Sequence, residues 1–166
     1  MKEEVLVVIK PEGLTKFLVG KVFDELEKAR LELIAIKTLY VTVDLAKEHY
    51  FHLRGQPFYQ TVINHMTGKY HSAKNVIAMI LQGNHAIKKC REIAGATNPK
   101  EADPRSIRGA YGSVTEEGLY ENLLHVSSDP KEAQREIKLW FQPDEILINL
   151  YPAKTIQDNR KRKVWA

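Results

Sequence analysis

Two rhythms of apolar and polar residues alternate along the chain. Val5 to Ile9 is a short, almost unbroken apolar run, the pattern of a central strand buried on both faces. It stops at Lys10-Pro11-Glu12-Gly13, where proline and glycine turn the chain. Lys10 is thereby held at the strand end near the core, with a solvated surface lysine as the plain alternative. Leu14, Leu18, Val22, Leu26 and Ala29 repeat at helical spacing and predict a helix from Leu14 to Arg30. Leu33 to Val43 is rich in β-formers and predicts a second strand, after which Asp44 predicts the cap of a short helix to about His52. Tyr50 and Phe58 flank Gly55-Gln56-Pro57, a break between two short helices. A polar loop from Gly68 to Asn75 precedes a buried strand, Val76 to Leu81, and a helix, Asn84 to Ile93, with Arg91 in its last turn. Gly95 to Gly112 leaves little room for regular structure beyond one helical turn near Pro104 to Arg108, and long ordered loops are often functional. The last strand runs from Asn122 to His125, and the last helix to Phe141.

This order of strands and helices predicts an α+β fold: a ferredoxin-like βαββαβ sandwich, with helices packed on a four-stranded antiparallel sheet. No repeat, low-complexity block or linker divides it. Residues 1–166 read as a single domain whose C-terminal tail (146–166) carries an apolar patch and then a solvated basic run, Arg160 to Lys163.

Composition changes the picture only a little. With 166 residues, 43% apolar and 28% charged, the chain can bury a real core. Its formal charge of +4 suits phosphate-bearing small molecules and nucleic acid equally. Cys90 is the only cysteine, so no disulfide can form within the chain. With no signal peptide and no apolar run of membrane length, a cytoplasmic protein away from the membrane is expected.

The chemistry concentrates in Glu121 to Pro130 (ENLLHVSSDP). Asp129 is a good N-cap, Pro130 fits the first helical position, and Glu132 stands where a capping box needs an acid. His125 closes the strand ahead of that cap, and a helix start nearby suits an incoming phosphate. In the helix Ala133, Ile137 and Trp140 form the apolar face, with Glu136 beside it, so its carboxylate can return toward the strand end. One histidine, the Ser127 hydroxyl and a half-buried carboxylate describe an oriented nucleophile or base. A strand-end histidine without chemistry is the bland alternative. His49 and His52 lack a third clustered ligand and read as a solvated face. The Gly-rich phosphate motifs and the protein-kinase signature are absent. What remains is a set of cations, Lys10, Arg91 and Arg108, at a strand end, a helix end and a loop, plus Thr97 and His125; Arg105 in the same loop can also bind anions. Phosphoryl transfer needs such donors about the equatorial oxygens and a nucleophile in line, and a neutral imidazole can be that nucleophile.

Four segments then carry a resemblance: VIKPEG from Val8, KEHYFHLRGQPFY from Lys47, GATNPKEADPRSIRGAYG from Gly95, and ENLLHVSSDPKEAQREIKLWF from Glu121. Together, from Glu4 to Leu147, the chain resembles nucleoside diphosphate kinases. The resemblance implies a ping-pong reaction in which His125 takes the γ-phosphate of a nucleoside triphosphate such as ATP, then passes it to a nucleoside diphosphate. It implies that Glu136, helped by Ser127, orients the imidazole and that Tyr50 sits by the transferring group. Arg91, Thr97 and Arg108 would grip phosphates, while Lys10 and Asn122 would bond the ribose, Lys10 also reaching phosphate. Phe58 would stack on the base with Val62 beside it. Mg²⁺ would arrive mainly on the nucleotide phosphates, and a hexamer or tetramer built from a common dimer is implied. The chain departs from the family pattern at Val126, Ser128, Ala110 and Arg105, and in two longer segments, Gly68 to Asn75 and Gly112 to Glu121. A glycine required at positive φ would leave Val126 strained or the turn altered. A competing reading keeps the fold as a basic nucleotide or nucleic-acid binder with weakened catalysis, a role that needs no oriented histidine.

Overall fold

The structure, a computed structural model, describes residues 2–157. The basic run Arg160 to Lys163 lies outside the described residues. Strand β1 (Lys2–Ile9) is the centre of the sheet. It pairs antiparallel along its whole length with β3 (Asn75–Asn84), from Lys2 opposite Asn84 to Ile9 opposite Ile77. On its other side it pairs antiparallel with the last strand of the sheet (Leu124–Val126). Strand β2 (Glu32–Tyr40) pairs antiparallel with the outer side of β3. In space the strands run second, third, first, last, the order of a βαββαβ ferredoxin-like sheet.

Val5 to Ile9 have no exposed surface, as the apolar run predicts for a strand covered on both faces. Val5, Val7 and Ile9 pack with Val22 and Leu26 of α2 (Val19–Glu27) and with Ile87 and Cys90 of α5 (Ala86–Ala94). Leu6 and Val8 pack on the opposite face with α3 (Val43–His49), α4 (Tyr59–Met66) and α7 (Pro130–Trp140), through Ala46, Ile63, Ile137 and Trp140. Each buried valine, leucine or isoleucine among them is worth about 1.5–3 kcal/mol over leaving it in water. His125 stands opposite Val8 in register, so its ring shares the Val8 face and looks toward α3 and α7.

Several boundaries differ from those the sequence predicts. The helix expected from Leu14 to Arg30 is two, α1 (Pro11–Thr15) and α2, split where exposed Phe17 adopts φ 57°. Leu14 and Leu18 keep apolar spacing across the break, which hid it. Strand β2 ends at Tyr40, and the Thr42 hydroxyl, not Asp44, caps α3 by accepting the Leu45 N–H. The turn expected near Pro104 is α6 (Ile107–Tyr111), capped by Ser106. After it, β4 (Ser113–Val114) and β5 (Tyr120–Glu121) form an unpredicted hairpin. The last strand, β6, therefore starts at Leu124 rather than Asn122 and continues one residue past His125. Leu123, between the two strands, takes φ 67°, while Val126 is extended and buried and carries no strain. Gly68 to Asn75 is a loop as expected, apart from Asn75 at the start of β3.

Candidate active site

His125 is held from below. Its Nε2 stands 2.9 Å from Glu136 Oε1, with the N–H off the line of a straight hydrogen bond. The other carboxylate oxygen accepts the Ser127 hydroxyl at 2.6 Å, and Ser127 Oγ also accepts the Leu6 N–H of β1. Glu136 is buried, not half-buried as the sequence suggested, because α7 presses it against β1 along with Ala133 and Ile137. Burial raises its carboxyl above the usual range, opposed by His49 and the Ser127 hydrogen bond. A carboxylate only accepts, so Nε2 carries the imidazole proton and Nδ1 keeps the lone pair. Burial, reinforced by Lys10 and Arg108, lowers His125 to about 3, so the ring is neutral at pH 7.

The cations come from distant parts of the chain. Arg108 Nη2 donates to the Leu124 carbonyl at 2.9 Å, next to His125, and its Nη1 to the Gly95 carbonyl at 2.7 Å. Its Nε is buried without a partner. Burial lowers Arg108 to about 10, with the neighbouring charge of Arg91 adding to the effect. Two glycines permit this loop. Gly95 has φ +85°, and a Cβ there would collide with Ser106; a Cβ on Gly109 would strike the Asp103 carbonyl. Lys10 donates to Asn122 Oδ1 at 2.7 Å, and Asn122 Nδ2 donates to the Thr97 carbonyl at 2.8 Å. Burial lowers the Lys10 ammonium to about 8, with Glu12 opposing and Arg108 assisting.

Lys10, Thr97, Arg108, Asn122, Ser127, Glu136 and His125 are thus linked through hydrogen bonds and charge contacts. Tyr50 joins them, its ring centroid 6.5 Å from that of His125, with its phenol raised chiefly by burial. Arg91 is exposed in the last turn of α5. It also lines an open cleft of about 670 Å³ with Glu3, Glu92 and Asp129, whose acids suit phosphate poorly. Phe58, 49% exposed, precedes α4, and half-buried Val62 lies one turn on; both stand outside these networks. Arg105 is exposed and forked onto Asp103, away from the group. At the start of α7 Asp129 accepts the Glu132 N–H as predicted, but Glu132 pairs with Arg135 and leaves the capping box incomplete.

His49 overturns the solvated-face reading, although His52 is exposed. It is fully buried, its ring packed edge-on against His125 at 4.3 Å between centroids. Its Nδ1 accepts the Trp140 indole N–H at 3.1 Å, and burial holds it well below the usual histidine range. The missed signal was spacing: Ala46 and His49 share one face of α3, one turn apart. Arg135 was missed as well. Its guanidinium bonds the Glu48 and His49 carbonyls and comes within 3.9 Å of Glu136.

Two groups of possible metal ligands occur among the described residues: His49, His125 and Glu136, and separately Glu12, His65 and His71. Both are nitrogen-rich, unlike the oxygen cages that Mg²⁺ prefers.

The chain as a whole has relatives among known proteins. Residues 3–146 match the family model described as nucleoside diphosphate kinase. A nucleoside diphosphate kinase of Moorella thermoacetica is 40% identical over 144 residues, covering 87% of this chain and 97% of the relative. One from Thermococcus kodakarensis is 37% identical over 144 residues, covering 87% of this chain and 79% of the relative. Among solved structures, the Borrelia burgdorferi enzyme, a transition-state mimic with bound vanadate and ADP, superposes with a TM-score of 0.79. It is 30% identical over 92% of this chain and 93% of its own.

Proposed function

This chain belongs to the nucleoside diphosphate kinase family, and we propose that it transfers the γ-phosphate of nucleoside triphosphates such as ATP through a phosphohistidine on His125. The observation that carries the reading is the pinning of Nε2 against Glu136, which leaves Nδ1 as the nucleophilic nitrogen of a neutral ring. In the first half-reaction the Nδ1 lone pair attacks the γ-phosphorus in line. The bond from phosphorus to the β–γ bridging oxygen breaks, and the diphosphate leaves with that electron pair. In the second half-reaction a terminal oxygen of another nucleoside diphosphate attacks the phosphohistidine, and the P–N bond returns its pair to Nδ1.

As Nδ1 takes up phosphorus the ring becomes cationic, and the Glu136 carboxylate 2.9 Å from Nε2 offsets that charge. Ser127 holds the carboxylate against rotation. Arg108 and Arg91 bind the equatorial phosphate oxygens, with Thr97 as a neutral donor and Tyr50 beside the transferring group. Lys10 and Asn122, already joined at 2.7 Å, bond the ribose hydroxyls, Lys10 also reaching phosphate. Phe58 stacks on the base with Val62 at its edge, and an aromatic face accepts purine and pyrimidine alike.

We infer that Mg²⁺ is the divalent cation and that it rides on the phosphate oxygens. The ligands about His125 are mostly nitrogen, and their one carboxylate is committed to Ser127 and His125. Glu12 and its histidines offer no better cage, so among the described residues no cluster holds Mg²⁺ directly.

Self-association into a hexamer or tetramer is part of the reading. It is supported by the outer edge of β2, where Leu33, Ile36 and Tyr40 remain exposed on an edge strand. A single domain is supported by the one four-stranded sheet that both cores share. A cytoplasmic setting is supported by the buried free thiol of Cys90; among the described residues no helix is long and apolar enough to cross a membrane. The test is incubation with ATP labelled at the γ-phosphate. An acid-labile, base-stable label on the protein, chased by added nucleoside diphosphate, supports the reading. Bound nucleotide with no transferable label contradicts it.

A further inference from the structure

We propose that Glu12, His65 and His71 form a binding site for a divalent transition-metal ion of the zinc type, separate from the phosphoryl-transfer site. One ligand atom from each lies within 4.8 Å of the other two. The three come from unconnected stretches: Glu12 from α1, His65 from α4, and His71 from the loop that follows. Glu12 and His65 are buried, with His65 Nε2 2.8 Å from Glu12 Oε2. The two histidine rings face each other at a tilt, their centroids 5.0 Å apart.

A hydrogen-bonded pair would account for Glu12 and His65 but not for His71. Its side chain is only 7% exposed, yet Nε2 is buried with no partner among the described residues. Native proteins rarely leave such an atom orphaned, and here it belongs to the one ring in the cluster not already paired. A cation seated between Glu12, His65 and His71 satisfies it.

The surroundings are those of ligands already oriented for a metal. Glu12 Oε1 accepts the Leu123 N–H at 3.0 Å, fixing the carboxylate from behind. His71 turns its other nitrogen, Nδ1, toward Glu121 Oε1 at 4.0 Å. At that distance the carboxylate acts through its charge, which favours a cation at the ring. Lys16 and Ser113 hold Glu121 in turn, at 2.7 and 2.8 Å. Burial works against ionisation of Glu12, but the His65 hydrogen bond and the Lys10 charge outweigh it and lower the carboxyl to about 2.

Two imidazole nitrogens and one carboxylate suit zinc, nickel or copper rather than Mg²⁺ or Ca²⁺, and three protein ligands leave a position for water. The bound ion would tie the Gly68 to Asn75 loop to α1, two residues from Lys10.

The test uses the full chain, stripped by chelator and kept free of nucleotide, titrated with Zn²⁺ and with Co²⁺ as a spectroscopic probe. The expected result is one equivalent bound, with visible Co²⁺ bands of four-coordinate intensity. His71→Ala should weaken binding at least about tenfold. His71→Cys, which restores a ligand, should recover binding and add a thiolate-to-cobalt charge-transfer band. His125→Asn, which dismantles the other histidine group, should bind as the parent chain does. Absence of binding in the parent, affinity unchanged in His71→Ala, no recovery in His71→Cys, or loss in His125→Asn would each overturn the site.

Discussion

The two histidine groups make the most instructive comparison in the molecule. Each joins a buried glutamate to two histidines, and Nε2 lacks a hydrogen-bond partner on both His49 and His125 but only on His71 of the other pair. Their settings differ in charge. Lys10, Arg108 and Arg135 all act on His125, pressing the ring toward neutrality and drawing anions to its free nitrogen. His71 has Glu121 behind it, and of the two acids flanking it only Glu121 is tied to a lysine by a close ion pair. The same residue types therefore point to opposite ligands: an electron-poor phosphorus at His125 and a metal cation at His71. The charges around the histidines, and not their number, select between them.

Substitutions can break this contrast, beginning with the largest effect. His125→Asn should lower the rate of nucleotide phosphorylation on the order of 10⁴-fold or more, as loss of a covalent nucleophile does. Steady-state assay decides it, and residual activity within tenfold of the parent would remove His125 from the centre. Arg108→Ala should slow single-turnover transfer by roughly 10²–10³, the usual effect of losing one donor to developing charge. A change under about threefold would count against its role. Glu136→Gln keeps the volume but loses the charge, and should cost roughly 10–100-fold in transfer. Its effect should fall on kcat rather than KM, because it acts through the ring. His71→Ala should leave transfer within about threefold while weakening Zn²⁺ binding, so the two readouts separate the groups.

Acid sharpens the contrast further. His125 is depressed from an ordinary 6.5 to about 3, so the unfolded chain takes up its proton first. This ring's contribution to stability is therefore full above about pH 6.5 and is lost as pH falls from there toward 3. The parent's thermal midpoint should drop more steeply between pH 7 and 5 than that of His125→Asn. Transfer should meanwhile show no inflection near 6.5. Parallel midpoints in the two proteins would mean that the ring titrates normally.

Sequence patterns revealed the elements whose signals are local. The apolar run Val5 to Ile9 needs only its own residues to read as a central strand, and Asp129-Pro130 marks a helix start by its own chemistry. Arg108 and His125 were visible as residue types, but the Arg108 bonds to the Gly95 and Leu124 carbonyls depend on how a long loop closes. His49 could not be judged from a missing third ligand, since its burial follows from α3 packing against α7. Phe17 broke a helix across an intact apolar period, and the Ser113 to Glu121 hairpin rests on pairs too short to give a strand pattern. Local order was legible; the partner of each buried polar atom was not.

The most direct test is the fate of the γ-phosphate itself. Mixed with labelled ATP and quenched within one turnover, the parent chain should carry the label on Nδ1 of His125, found by mass spectrometry under alkaline conditions, and lose it to added nucleoside diphosphate. Label on any other residue, or none while phosphate still passes between nucleotides, would contradict the account.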